Sequence, residues 1–208
     1  MNPIDFKPNK PQDFIGPARA VAAILERIVE RSRATGAPIK LFLQGNAGVG
    51  KSSLLDYFLG RLGVSKWAVT KLSGTKVRIE DVDDWASRLC YLELGGGYKV
   101  LRIEEMDRAS HTARARLLMC LDDLPRHVAV VCTSNKEQGT VEPRFLSRFQ
   151  NITVDAPPAA DIKRLLQRFG LTPGKTGFIS EIACGNVRLA LNEAQTALDE
   201  MAARRCVV

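Results

Sequence analysis

From residue 18 to residue 34 the apolar side chains of ARAVAAILERIVERSRA recur at helical spacing, with Arg and Glu between them. That pattern predicts an amphipathic helix, ended by Gly36 and Pro38. The next apolar stretch, IKLFLQG, is nearly continuous, as expected of a strand buried on both faces. Short apolar runs then alternate with helical patterns. WAVTKLSG, YKVLRIEEMD, HVAVVCTSN and QNITVDA read as four further strands. SSLLDYFLGRL, VRIEDVDDWASRLCYLEL, SHTARARLLMCLDDL and VEPRFLSRF read as helices between them. Ser110 is placed to cap the third of these, and the triple glycine Gly95 to Gly97 to stop the second. The first fifteen or so residues, rich in Pro, Lys and Asn, read as an extended lead-in.

Strands alternating with helices predict an α/β fold, a five-stranded parallel sheet covered on both faces. The alternation stops at Pro157-Pro158, and only helices follow: AADIKRLLQRFG, TGFISEIACG and NVRLALNEAQTALDEMAARR. The prolines therefore mark the expected boundary between an α/β domain, 1–156, and a small all-helical lid, 157–208.

Composition adds mainly exclusions. The 208 residues are 45% hydrophobic and 25% charged, ordinary for a globular protein. No stretch approaches the roughly 20 apolar residues that span a bilayer. The start, MNPIDFKPNKPQDF, lacks the apolar centre of a secretory signal, so the expected location is cytoplasmic. Cys90, Cys120, Cys132, Cys184 and Cys206 are scattered through apolar runs, which suggests reduced, mostly buried thiols. With two histidines in all, a zinc site is not expected. The net charge of +7 and the pI near 9.3 favour a polyanionic partner.

Between the first strand and its helix stands GNAGVGKS, residues 45 to 52, matching G-x-x-x-x-G-K-[ST] in the context that motif requires. Gly45, Asn46, Ala47, Gly48, Val49 and Gly50 can turn backbone N–H groups around phosphate oxygens. Lys51 can reach the terminal phosphates, Ser52 can ligate Mg²⁺, and Ser53 continues the helix whose dipole points at the site. The cofactors implied are ATP and Mg²⁺. VLRIEEMD places Glu104 and Glu105 at the end of a neighbouring strand. Glu104 is positioned to hold the Mg²⁺ water shell and Glu105 to polarise the attacking water.

Taken together, these motifs resemble the AAA+ ATPases, and within them the clamp-loader ATPase subunits. DFIGPA is similar to the family's adenine-pocket segment and implies Phe14, Ile15 and Gly16 beside the base. GNAGVGKS resembles Walker A and VLRIEEMD Walker B. SHTARARLLMCLDDLPRHVAVVCTSN resembles the stretch leading to sensor 1 and implies Asn135 in that role. EPRFLSRFQ is similar to the SRC segment, with Phe149 in place of the cysteine. By that likeness Arg148 is the arginine finger completing a neighbouring subunit's site, with Arg144 as second choice. GNVR resembles sensor 2 and implies Arg188 as the lid residue contacting the γ-phosphate. A ring or spiral of identical or different subunits with shared ATP sites is what the resemblance implies.

The chain departs from the family in three places. Walker B reads Glu-Glu instead of Asp-Glu, and the added methylene displaces the first carboxylate outward. Arg102 stands where the family prefers an apolar residue. The sequence ends soon after the lid, without a collar domain, so either it is truncated or its ATPase domains alone make the assembly.

Three uses of ATP are open. A DNA-dependent ATPase would grip phosphates with Lys71, Lys76 and Arg78 after the second strand, or with Arg108, Arg114 and Arg116 around the helix after Walker B. A protein-remodelling motor would thread a polypeptide past a pore-loop aromatic, which SGTKVRIED lacks; Tyr98 in GGGYK lies elsewhere. A nucleotide-gated scaffold would recruit a protein partner with little turnover, a use that Glu104 keeps open. No membrane partner is expected.

Overall fold

The computed structural model describes residues 2–90, 97–135 and 141–206. Five strands form one parallel sheet: β1 (Ile39–Gly45), β2 (Val69–Ser73), β3 (Lys99–Glu104), β4 (Val128–Asn135) and β5 (Gln150–Thr153). Their order across the sheet is β2-β3-β4-β1-β5. Around it lie α1 (Pro17–Thr35), α2 (Lys51–Leu62), α3 (Ile79–Ser87), α4 (His111–Asp122) and the single turn α5 (Pro143–Leu146). Three helices follow: α6 (Ala159–Gln167), α7 (Pro173–Ile182) and α8 (Val187–Cys206).

Side chains alternate across a strand, so a strand buried on both sides feeds two cores. Leu41 and Leu43 of β1, with Ala129 and Val131 of β4, pack against α1 and α2. Phe42, Leu101, Ile103, Val130 and Cys132 point the other way, against α3, α4 and α5. A third core joins α6, α7 and α8 through Ile162, Leu165, Leu166, Ile179, Ala190 and Ala194. Register brings Gly45 opposite Asn135 and Ser73 opposite Glu104, so the carboxyl ends of β1, β3 and β4 come out side by side.

Several expectations are corrected. The lead-in is not merely extended: it forms short 3-10 turns at Pro3–Asp5 and Pro11–Asp13. Phe6 sets its ring edge-on to Phe169 of the helical part, and Phe14 does the same with Tyr57 of α2. Aromatic anchors, absent from the usual composition of a flexible leader, hold it down. The second strand starts at Val69, because Trp67 lies on a 3-10 turn and is 96% exposed. The helix expected over 77–94 runs from Ile79 to Ser87 and tightens into a 3-10 turn; its continuation to 94 and stop at Gly95 lie outside the described residues. β5 ends at Thr153, short of the expected 156. Of the described thiols, Cys132 is buried, Cys120 half-buried and Cys184 exposed; the side chains of Cys90 and Cys206 lie outside the described residues. Among the described residues no helix is long and apolar enough to cross a membrane.

Candidate active site

The glycine loop turns because its sequence lets it. Gly48 and Gly50 hold φ of 78° and 98°, the left-handed region that other residues resist. At Gly45 the reason is proximity: an added Cβ would overlap the carbonyl oxygen of Val154, beyond β5. At Gly50 an added Cβ would meet nothing within 4 Å among the described residues, so the loop opens onto the cleft there. The first N–H groups of α2 have no intrahelical partner and face that space with the positive end of the helix dipole. Val49 differs from its neighbours, its side chain being buried in the core under α1 and α2.

Lys51 opens α2 and is 8% exposed. Its ammonium donates to the carbonyls of Gly45 (2.7 Å) and Asn46 (2.8 Å) and to Asn135 Oδ1 (2.8 Å). Burial lowers its pKa below the usual lysine range; Asp107 opposes the shift, Arg188 adds to it and Glu105 opposes it. Arg188 and Lys51 are thus two cations close enough to feel each other, an arrangement that suits a polyanion between them.

A cleft of about 390 Å³ gathers Ala47, Gly48, Gly50, Lys51, Ser52, Ser53, Glu104, Glu105, Asn135 and Arg188. Glu105 has a left-handed backbone, φ 58°, and its side chain is 43% exposed beside Arg108 at 3.5 Å. Its N–H donates to Thr133 Oγ1 (3.3 Å). Gly74, just past β2, lies so close that an added Cβ would overlap Glu105 O, and its own N–H donates to Glu104 O at 2.7 Å. Backbone held in a sparse region by such packing is characteristic of sites where a side chain must be aimed.

Glu104 is not free to face the cleft alone. Its Oε1 accepts from Arg102 Nη2 (2.5 Å) and meets Lys71 Nζ at 3.2 Å. Burial tends to raise its pKa, but Arg102 and Lys71 outweigh burial and hold the carboxyl below the usual range. The displacement expected from one added methylene is therefore a smaller matter than the two cations that hold the carboxylate.

Phe14 and Ile15 border a small apolar recess of about 60 Å³ with Val49, Val187 and Leu191, but most of Phe14 is core, 4% exposed. Arg148 does not reach the cleft. It pairs with Asp122 at the end of α4, Nε to Oδ1 at 2.7 Å, and is half-buried. The phosphate-grip candidates are similarly engaged: Lys71 with Glu104, Arg108 with Glu105, Arg114 with Glu142 at 3.1 Å and Arg116 with Asp83. Lys76 and Arg78 instead line a groove of about 790 Å³ with Thr75, Ser110 and Thr112; Glu80 and Asp81 share its wall. Tyr98 is buried at the opposite end of the sheet, its single O–H proton shared between Ser32 O (3.0 Å) and Ala37 O (2.9 Å), which removes it as a pore aromatic.

Residues outside the sequence motifs also contribute. Asp107 accepts from the Asn135 N–H (3.1 Å), while its buried Oδ2 has no hydrogen-bond partner among the described residues; its place in the strand-end acid run was a visible signal. Asn186 caps α8 by accepting from the Leu189 N–H (3.0 Å), and Gly48 O accepts from the Val187 N–H (3.0 Å). The helical part is so joined to the glycine loop. Ile4 and Phe6 also border the cleft, with no signal in their Pro-rich surroundings.

A glycine loop after β1, acids at the end of β3 and an amide at the end of β4, all at the carboxyl end of the sheet, define a P-loop nucleoside triphosphatase. The profile of the ATPase family associated with various cellular activities (AAA) matches residues 41–155, more than half of the chain, and the chain belongs to that family. Among solved structures, Thermotoga maritima RuvB described as a Holliday junction branch migration motor is similar in fold, with a TM-score of 0.73 and 19% identity over 96% of this chain and 67% of that one. A single-residue variant of the same RuvB gives 0.75 and 20%, with equal coverage. A Thermotoga maritima DNA polymerase III gamma subunit-related protein gives 0.57 and 18% over 71% of this chain, which spans about half (49%) of that one. Comparison with curated proteins finds no significant match.

Proposed function

We propose that this ATPase assembles through its nucleotide sites and uses ATP to grip or remodel DNA. The observation that carries the reading is that Lys51, Ser52, Glu104, Glu105, Asn135 and Arg188 border one cleft, while Arg148 of the same chain pairs with Asp122 away from it. A finger that cannot serve its own site is suited to a neighbour's. The unit division at Pro157 fits the same picture, with 157–208 acting as a lid tied to the glycine loop through Gly48.

In this reading Lys51 exchanges its carbonyl partners for phosphate oxygens, and Arg188 meets the γ-phosphate from the lid. Glu105 Oε accepts a proton from the attacking water, which Asn135 orients with its amide. The residues present fit Mg²⁺: Ser52 Oγ and, through water, Glu104 would hold it, and it would supply positive charge to the β- and γ-phosphates. The groove of Thr75, Lys76, Arg78, Ser110 and Thr112 is the favoured seat for a DNA phosphate backbone: two cations and three hydroxyls there can contact phosphates, beside Glu80 and Asp81, which offset the charge of the two cations.

Turnover measured with and without duplex DNA, alongside the mass of the particle in an ATP analogue, tests this reading. DNA-stimulated, salt-sensitive turnover by an assembly supports it. Full-rate turnover by a solitary chain overturns it. A second reading, an ATP-gated scaffold or protein remodeller with slow or no hydrolysis, is favoured by the engagement of Glu104 with Arg102 and Lys71. Nucleotide-dependent assembly without turnover selects it.

A further inference from the structure

β4 runs three residues beyond its ladder with β3. The β3–β4 register ends with Ile103 opposite Cys132, while β4 continues beside β1 as far as Asn135. The last residues of β4 therefore have no β3 strand next to them, and side-chain hydrogen bonds take over. Thr133 Oγ1 accepts from the Glu105 N–H (3.3 Å), and Asp107 Oδ1 accepts from the Asn135 N–H (3.1 Å). Asp107 itself sits on the 3-10 turn Met106–Arg108 that follows β3.

Asn135 is thus gripped at both its main chain and its side chain. Its N–H is on Asp107, and its Oδ1 accepts from Lys51 Nζ at 2.8 Å. In the nucleotide reading Lys51 leaves for phosphate oxygens, and the side-chain grip goes with it. Asp107 and the β1 ladder then hold Asn135 at the moment its amide must orient the attacking water. A strand end could be closed by any acceptor, with its remaining polar atoms in water. Asp107 instead keeps Oδ2 buried with no hydrogen-bond partner among the described residues, a cost that closure alone does not require. Charge offsets it. Burial lowers the Lys51 pKa, and Asp107 is the foremost of the charges acting on that ammonium, opposing the shift. Asp107 is not among the residues that border the cleft, so it reaches the reaction only through its neighbours.

We propose that Asp107 is a positioning residue for the hydrolytic step: its Oδ1 anchors the main chain of Asn135, so that the amide stays aimed at the attacking water once Lys51 has turned to the phosphates. This rests on the nucleotide reading above and on the part Asn135 plays in it. The test combines kcat at saturating Mg·ATP, from phosphate release, with the affinity for a fluorescent ATP analogue, from anisotropy. Asp107→Ala removes the acceptor and lowers kcat about ten- to a hundredfold, the cost of a small misplacement. Asp107→Asn keeps an acceptor for the Asn135 N–H and recovers most of that loss, and the two variants bind the analogue within about threefold of each other. Placed in Asn135→Ala, the Asp107→Ala change lowers kcat by no more than about twofold, because no amide is left to misplace. If Asp107→Ala does not fold, Asp107→Glu takes its place in the cycle: it keeps the carboxylate, shifts the oxygens by one methylene and gives the same pattern against the unaltered chain. A purely structural residue would lower affinity together with kcat, or lower kcat equally with and without the Asn135 amide. Either result overturns the proposal, as do an unchanged kcat in Asp107→Ala and an Asp107→Asn as slow as Asp107→Ala. If Asn135→Ala turns over at the unaltered rate, or the unaltered chain does not turn over, the role given to Asn135 in the nucleotide reading fails first and the proposal falls with it.

Discussion

Gly48 is where the glycine loop meets the helical part, and Gly48→Ala tests that joint quantitatively. Its φ of 78° is left-handed, which costs an alanine about 1–2 kcal/mol. An added Cβ would also overlap the side chain of Asn186, both its Oδ1 and its Cγ. Asn186 must swing away, and in doing so it releases the Leu189 N–H that it caps at 3.0 Å. Loss of such a cap costs about 1 kcal/mol. The sum for Gly48→Ala is about 2–3 kcal/mol, and Asn186→Ala alone costs about 1. In the double variant the cap is already gone and no clash remains, so the cost stays at about 2–3 kcal/mol instead of rising to about 3–4. Denaturant unfolding of the four proteins measures the cycle through its midpoints at constant slope. Additive costs, with no coupling near 1 kcal/mol, would refute the claim that Gly48 and Asn186 share one space.

Lys51→Ala removes the ammonium that three acceptors now hold, and nucleotide affinity should fall by about a hundredfold or more; near-normal calorimetric binding contradicts its role. Glu105→Gln should leave binding intact and lower turnover by about 10²–10⁴-fold, and a phosphate-release assay showing an unchanged rate dismisses it as the base. Arg148→Ala should spare binding and abolish turnover, and mixing it with Lys51→Ala chains should restore part of the activity if the finger works across an interface. Site-resolved mass spectrometry after brief alkylation should find Cys184 modified and Cys132 untouched until unfolding, because burial pushes the Cys132 thiol far above its usual pKa.

The strands were legible because each is a short apolar run feeding two cores; Leu41 and Phe42 alternate as β1 requires. The glycine loop and the strand-end acids were legible because their chemistry restricts residue type at fixed spacing. The order of strands was not, since no local pattern says that β4 enters between β3 and β1. Nor were pairings between distant residues. Arg102 stood out as an oddity in an apolar strand, but only the fold brings Asp56 of α2 to its guanidinium. The cation groups fared worst, because Lys71, Arg114 and Arg116 look the same in sequence whether solvated or matched by Glu104, Glu142 and Asp83. Phe6 and Ile4 were missed because proline-rich composition concealed two anchoring apolar side chains.

An ammonium has three protons to give, and in Lys51 all three are already taken by Gly45, Asn46 and Asn135. These bonds tie the first residue of α2 to the end of β1 and to the end of β4. A phosphate chain that draws the ammonium away must therefore offer oxygens in exchange for those it leaves.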